Sequence, residues 1–105
     1  MKRIISGKRY DTDTAEKIVH WDNGLSSNNF SCVAETLYRT KNGNYFVRGD
    51  GGAMSRWARR GQNCWREGDG LEALSPREAL DWLESKKLED VPANCPEITA
   101  LITDA

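Results

Sequence analysis

Cysteine and histidine are scarce in this chain of 105 residues, which has three cysteines and a single histidine. Cys32, Cys64 and Cys95 stand far apart, with no Cys-x-x-Cys pair. A zinc site takes three or four ligands, usually from close sequence pairs, so nothing here supports one, and neither a metal nor a cofactor is expected. An odd cysteine count without paired spacing reads as ordinary buried or inert thiols in a reduced, cytoplasmic protein. Long apolar runs are also missing: none approaches the ~20 residues that span a bilayer. The start, Met1-Lys2-Arg3-Ile4-Ile5, has basic residues but no apolar h-region, so neither a signal peptide nor a membrane partner is expected. A charge excess is lacking too, since 15 Lys+Arg against 16 Asp+Glu leave −1. That excludes, on average, a strongly basic nucleic-acid binder and a strongly acidic nucleic-acid mimic.

The small net charge conceals a division. Residues 1–66 carry 12 basic and 6 acidic side chains (+6), whereas residues 67–105 carry 3 and 10 (−7). Such asymmetry marks either an interaction surface of one sign or two halves that neutralise each other across the fold. With 38% hydrophobic and 30% charged residues, one domain with a modest core is expected, and a chain this short buries a limited share of its surface.

Turn chemistry sets out the elements. Ser6-Gly7 suits a two-residue turn between Lys2–Ile5 and Lys8–Tyr10. Asp13 with Glu16 predicts a capped helical turn, after which the β-branched and aromatic Lys17–Trp21 predicts a strand. A Ser/Asn-rich loop covers 25–30. Val33–Thr40 and Tyr45–Arg48 form a hairpin about Asn42-Gly43, with a two-residue turn pairing Thr40 with Tyr45 and Leu37 with Arg48. In that register neither face is cleanly apolar. Gly49-Asp50-Gly51-Gly52 reads as a strand-breaking turn. It lacks the Gly-Lys-Ser/Thr of a phosphate loop and the third glycine of a dinucleotide fingerprint. Ala53–Arg60 predicts a helix capped by Gly61, and 62–70 an irregular stretch before a short strand, Leu71–Leu74. Ser75-Pro76-Arg77-Glu78 is a capping box opening a helix over Pro76–Lys87. The fold class is α+β: a small antiparallel sheet of hairpins with one short helix and one well-capped helix packed on it. Residues 1–88 form the domain. Residues 89–105 are a C-terminal extension, either a short helix over Ile98–Ile102 or a loose tail.

The segment 53–66 holds four arginines and two tryptophans without an acidic residue. On a helix, Arg56, Arg59 and Arg60 would share one face. Arginine and tryptophan dominate binding hot spots and also suit phosphates and stacked bases. The candidate partner-binding residues are therefore Arg56, Trp57, Arg59, Arg60, Trp65 and Arg66, with Arg39 and Arg48 contributing from the hairpin. The competing reading has Trp57 and Trp65 closing the core while the arginines are solvated or pair with the acidic helix. For catalysis, Glu35, Asp50, Glu67 and Asp69 lie near loops, but no spacing singles out an acid–base pair. A Cys–His pair using Cys32 or Cys64 with His20 remains as an enzymatic reading. No catalytic residue is assigned.

The runs Met1-Lys-Arg-Ile-Ile, Gly7-Lys-Arg-Tyr10-Asp-Thr-Asp-Thr-Ala15-Glu, Glu35-Thr-Leu-Tyr-Arg-Thr-Lys-Asn-Gly43, Gly51-Gly-Ala-Met-Ser55-Arg-Trp-Ala58 and Leu74-Ser-Pro-Arg-Glu-Ala-Leu-Asp-Trp82 resemble a group of small bacterial proteins common in prophages and other mobile elements. The resemblance covers about residues 1–84 and transfers no catalytic or ligand residue. It implies a mobile-element accessory protein, of the anti-CRISPR or other counter-defence type, which binds a host protein or nucleoprotein complex without chemistry. The expectation is thus a non-enzymatic inhibitor acting through the Arg/Trp patch. The alternative is a small nucleic-acid-binding protein using the same patch.

Overall fold

A computed structural model describes residues 1–26, 28–62, 64–88 and 94–104. Lys2–Ile5 (β1) and Lys8–Asp11 (β2) form the first hairpin, closed at Ser6 and Gly7, both at positive φ. Residues 12–15 make a turn, and the capping role falls to Asp11 rather than Asp13. Its Oδ1 accepts from the Asp13 amide at 2.9 Å, and its carbonyl accepts from the Ala15 amide at 3.0 Å. The β-branched run then extends as Glu16–Asp22 (β3), with an irregularity between Lys17 and Val19.

Val33–Arg39 (β4) and Tyr45–Gly51 (β5) form the central hairpin, but its register differs by one residue from the two-residue-turn expectation. Arg39 pairs with Tyr45, Tyr38 with Phe46 and Leu37 with Val47. The Gly43 amide bonds to the Thr40 carbonyl (3.0 Å), the Thr40 amide to the Asn44 carbonyl (2.8 Å), and Gly43 takes φ 82°. This is a three-residue loop, a turn followed by a left-handed residue that glycine supplies at no steric cost. One extra loop residue slips the pairing by one and exchanges every side chain of β5 between faces. The apolar side chains thereby sort together, Leu37, Tyr45 and Val47 on one face and Tyr38 and Phe46 on the other.

Arg59–Arg60 (β6) and Trp65–Arg66 (β7) make a minimal ladder. Gly68–Leu74 (β8) completes a four-stranded antiparallel sheet of order β3-β4-β5-β8. The glycine-rich stretch therefore does not break the strand. Gly49-Asp50-Gly51 runs to the end of β5 and pairs with Gly68-Asp69-Gly70 of β8, Gly49 opposite Gly70 and Gly51 opposite Gly68.

Pro76–Ser85 (α1) starts at the expected capping box. Ser75 Oγ accepts from the Glu78 amide at 3.1 Å, and Glu78 Oε1 accepts from the Ser75 amide at 3.0 Å. Ser75→Ala is expected to cost about 1 kcal/mol, read as a lowered urea midpoint with an unchanged slope. The helix lays Ala79, Leu80, Trp82 and Leu83 on one sheet face, against Leu37, Tyr45 and Val47. The opposite face carries Phe46 and Leu71, covered by Tyr10 of the first hairpin, with Tyr38 stacked on Phe46 at 5.0 Å. The sheet is thus buried at one end of both faces, an α+β arrangement.

Within the segment expected as an extension, Pro96–Thr99 (α2) forms a one-turn helix, and Cys95 and Ile98 are fully buried in the main core. Residues 89–93 and 105 of that segment lie outside the described residues. Arg39 donates to both Glu97 carboxylate oxygens (3.0 and 2.9 Å), and the Tyr45 hydroxyl donates to Glu97 Oε1 at 2.7 Å. These bonds from Arg39 and Tyr45 hold the Glu97 carboxyl down at about 2. Among the described residues, no helix is long and apolar enough to cross a membrane.

Candidate functional site

The segment 53–58, expected as a helix, is a succession of turns. The Ser55 amide bonds to the Gly52 carbonyl and the Ala58 amide to the Ser55 carbonyl, and neither link propagates. Tertiary packing overrides helical composition here. The Trp57 indole is drawn flat onto the sheet above the Gly49–Gly70 pair. A Cβ at Gly49 would lie 2.0 Å from Trp57 Cε2, and one at Gly70 3.3 Å from Trp57 Cζ3. The two glycines form the seat of that ring.

Beside the seat is a residue of the expected strand Val33–Thr40 that the sequence offered as one of four carboxylates near loops, with nothing to single it out. Glu35, on β4, is 1% exposed, and both of its oxygens are bonded. Oε2 accepts from Arg56 Nε (2.6 Å) and Trp57 Nε1 (2.7 Å). Oε1 accepts from Trp82 Nε1 at 2.7 Å and lies 3.4 Å from Lys86 Nζ. Lys86 in turn sits 3.9 Å from the ring centre of Trp21, the β3 residue directly opposite Glu35. Burial alone would raise the Glu35 pKa, but the hydrogen bonds from Arg56, Trp82 and Trp57, with the Arg56 charge, hold it down at about 2. A saturated buried carboxylate is poorly suited to proton transfer at neutral pH. What it does is fasten the 53–58 segment and α1 to one point of the sheet. A detectable signal was its position: a carboxylate two residues before Leu37 on an alternating strand shares that residue's face.

The arginines of the segment divide. Arg56 is committed to Glu35 and to Glu72 Oε2 (2.8 Å) and lies 4.5 Å from the Trp57 ring centre. Arg59 is committed to Asp69 Oδ1 at 2.5 Å. Arg56–Glu72 and Arg59–Asp69, together with Arg39–Glu97 and Arg48–Asp69, join the basic and acidic halves of the chain, so much of the charge division is internal neutralisation. Arg60 and Arg66 have no ion pair among the described residues. They flank Trp65 on the β6–β7 ladder, where Arg59 faces Arg66, Arg60 faces Trp65, and Arg60 lies 5.9 Å from the indole centre. Like charges directly opposite one another weaken a ladder.

Trp65 does not close the core, being 57% exposed, and it is accompanied by Met54 (74%) and Phe30 (67%). Two hollows share Trp65 and Ala53 as walls. One, of about 350 Å³, includes Phe30 and Arg66, and the other, of about 440 Å³, includes Met54 and Arg56. The structure therefore brings Trp65, Arg60, Arg66 and the outer side of Arg56 together at one end. It turns Trp57 inward. Arg39 stands at the other end of β4, bound to Glu97, and Arg48 lies on the opposite sheet face, 2.7 Å from Asp50. Phe30 and Met54 were missed, because exposure of a lone apolar residue in a loop leaves no periodic signal.

For catalysis, the geometry assembles little. His20 Nδ1 is 2.8 Å from Thr36 Oγ1, and its Nε2 is 3.7 Å from Asp22. Cys95 is buried, Cys64 is exposed and Cys32 is half-buried. Among the described residues, no three His, Cys, Asp or Glu side chains are grouped to hold a metal ion. Compared with protein-family models, curated proteins and solved structures, the chain matches none.

Proposed function

We propose that this chain is a non-enzymatic interaction protein that works in the cytoplasm by occupying a surface of a host protein or nucleoprotein complex, as a mobile-element inhibitor of the anti-CRISPR kind would. One observation carries the reading: Phe30, Met54 and Trp65 are exposed together beside Arg60 and Arg66, which have no acidic partner among the described residues. Contiguous exposed apolar side chains are costly in water and mark interaction sites. An exposed tryptophan with flanking arginines has the composition of a binding hot spot. Glu35 and the glycine seat anchor Arg56 and Trp57 of the segment that carries Met54, which lowers the ordering entropy lost on docking.

The same patch is less suited to nucleic acid. Of the four arginines, Arg56 and Arg59 are already neutralised by carboxylates. About two remaining charges release few counterions, and the resulting backbone affinity is low. Affinity capture from a bacterial lysate, with nuclease present, tests the reading against Trp65→Ala and the double variant Arg60→Glu/Arg66→Glu. All three side chains are solvent-facing, so thermal midpoints should stay within a few degrees of the wild type. The wild type is expected to retain a host protein that both variants lose. Equal retention by all three removes the placement. Dependence of capture on intact nucleic acid turns the assignment to direct nucleic-acid binding.

A further inference from the structure

We propose that the groove between α1 and residues 101–103 binds a medium-chain fatty carboxylate, with its acyl chain along the helix and its head group on Lys87. The site shares no residue with the docking end at Trp65. The hollow holds about 580 Å³, within the roughly 300–1,000 Å³ of small-molecule sites. Its uncharged lining, Thr103 apart, is aliphatic: Leu80 and Leu83, buried on α1, then Leu88, and Leu101 and Ile102, which are 39% and 45% exposed. No aromatic ring stands on the lining to stack a base or a sugar. Along α1 the lining runs from Arg77 in the first turn to Leu88 past the last, about 15 Å of helix. A linear acyl chain of about ten carbons covers that length and takes the exposed leucine and isoleucine out of water.

The charges select an anion. Arg77 and Lys87 line the groove against one carboxylate, Glu84. Arg77 Nε lies 3.4 Å from Asp81, whereas Lys87 has no ion pair among the described residues. The backbone singles out the same lysine. The Lys87 amide bonds to the Glu84 carbonyl and the Leu88 amide to the Leu83 carbonyl, both at 3.0 Å, and Lys87 takes φ 56°. Glycine is the usual residue at this left-handed close of a helix, because a Cβ is crowded there. Holding a lysine in that conformation places backbone strain on the lining of the groove, and such strain gathers at functional contacts. A carboxylate meets the Lys87 ammonium in a charge-assisted hydrogen bond, while the chain behind it lies on the leucines.

Isothermal calorimetry on the full chain tests this with decanoate, kept below its micelle concentration, and with decanol, decyltrimethylammonium and acetate as controls. Saturable decanoate binding, at least tenfold tighter than that of any control, is the expected result. Ile102→Asp and Lys87→Gly should each weaken it at least tenfold. Lys87→Gly should at the same time hold or raise the thermal midpoint, since glycine relieves the left-handed strain, so binding lost in that variant does not come from lost folding. Glu84→Gln, which removes the one repelling carboxylate, should tighten binding. Absence of decanoate binding, equal binding of decanol or decyltrimethylammonium, or full binding by Lys87→Gly overturns the inference. A concentration-dependent dimer in sedimentation, abolished by Ile102→Asp and seen without decanoate binding, overturns it with a second copy as the occupant. The capture experiment with Trp65→Ala is independent of each of these results.

Discussion

Glu35→Ala is expected to destabilise the fold by about 3 kcal/mol, because it leaves two indole N–H groups without an acceptor and takes from Arg56 and Lys86 the carboxylate they share. The side chain accepts from two indoles and one guanidinium, with an ammonium at 3.4 Å. Glu35 itself is 1% exposed, so the two indole N–H groups lose their acceptor inside the fold, whereas the partly exposed Arg56 and Lys86 can turn toward water. A domain of this size holds roughly 5–15 kcal/mol in total, so the loss is a large share of it. Urea unfolding followed by tryptophan fluorescence reads the effect, since Trp21, Trp57 and Trp82 all surround the residue. Glu35→Gln keeps the shape and one acceptor oxygen but turns an amide NH2 toward existing donors, so it should fall between the alanine variant and the wild type. A wild-type-like midpoint for Glu35→Ala would mean that the network contributes nothing net.

The same carboxylate makes stability fall in acid. Glu35 and Glu97 both titrate at about 2 in the folded chain, against an ordinary value of 4.5. A depressed folded pKa contributes stability that is fully present above the ordinary value and is lost as pH falls from about 4.5 toward about 2. Thermal midpoints should therefore be flat near neutrality and decline across that acid window. Glu97→Gln, which keeps the contact with Tyr45 but removes the charge facing Arg39, should make the decline shallower.

Legibility in the sequence followed locality. The Ser6-Gly7 turn and the capping box at Ser75 were readable because every participant lies within four residues. The central hairpin was readable as a hairpin, but its register depended on whether the Asn42-Gly43 loop holds two residues or three, and both satisfy the same composition. That single residue decided which face of β5 met the helix. The α+β class survived, whereas the helix expected over Ala53–Arg60 did not: its residues are good helix formers, yet Trp57 is claimed by glycines on two distant strands. Of Glu35 only the face was legible, the one it shares with Leu37. Its partners are 21, 22 and 47 residues away, and no local pattern announces a carboxylate that three elements converge on. The arginines looked like one patch because they are adjacent in sequence. In the structure, half of them are spent on carboxylates from β4 and β8.

Gly49→Ala is the second large effect, and it has a built-in control. The added methyl would sit 2.0 Å from the Trp57 indole, a distance no rotamer adjustment of alanine relieves, so the ring must leave its seat. Displacing it breaks the Trp57 Nε1–Glu35 bond and disturbs the Glu35 contact of Arg56, the preceding residue. Overpacking of this kind costs about 1–3 kcal/mol, and the lost buried hydrogen bond adds about 1 kcal/mol or more. An expected total of about 3 kcal/mol follows, with the docking of Met54 and Trp65 weakened alongside. In a Trp57→Ala background the seat is already empty. There alanine should be neutral or mildly stabilising at position 49, because glycine inside a strand is entropically unfavourable by roughly 0.5–1 kcal/mol. The cycle Gly49→Ala, Trp57→Ala and the double variant is thus expected to be strongly non-additive, with a coupling of about 2–3 kcal/mol. Additive costs would show that the glycine is needed for its backbone rather than for the tryptophan above it.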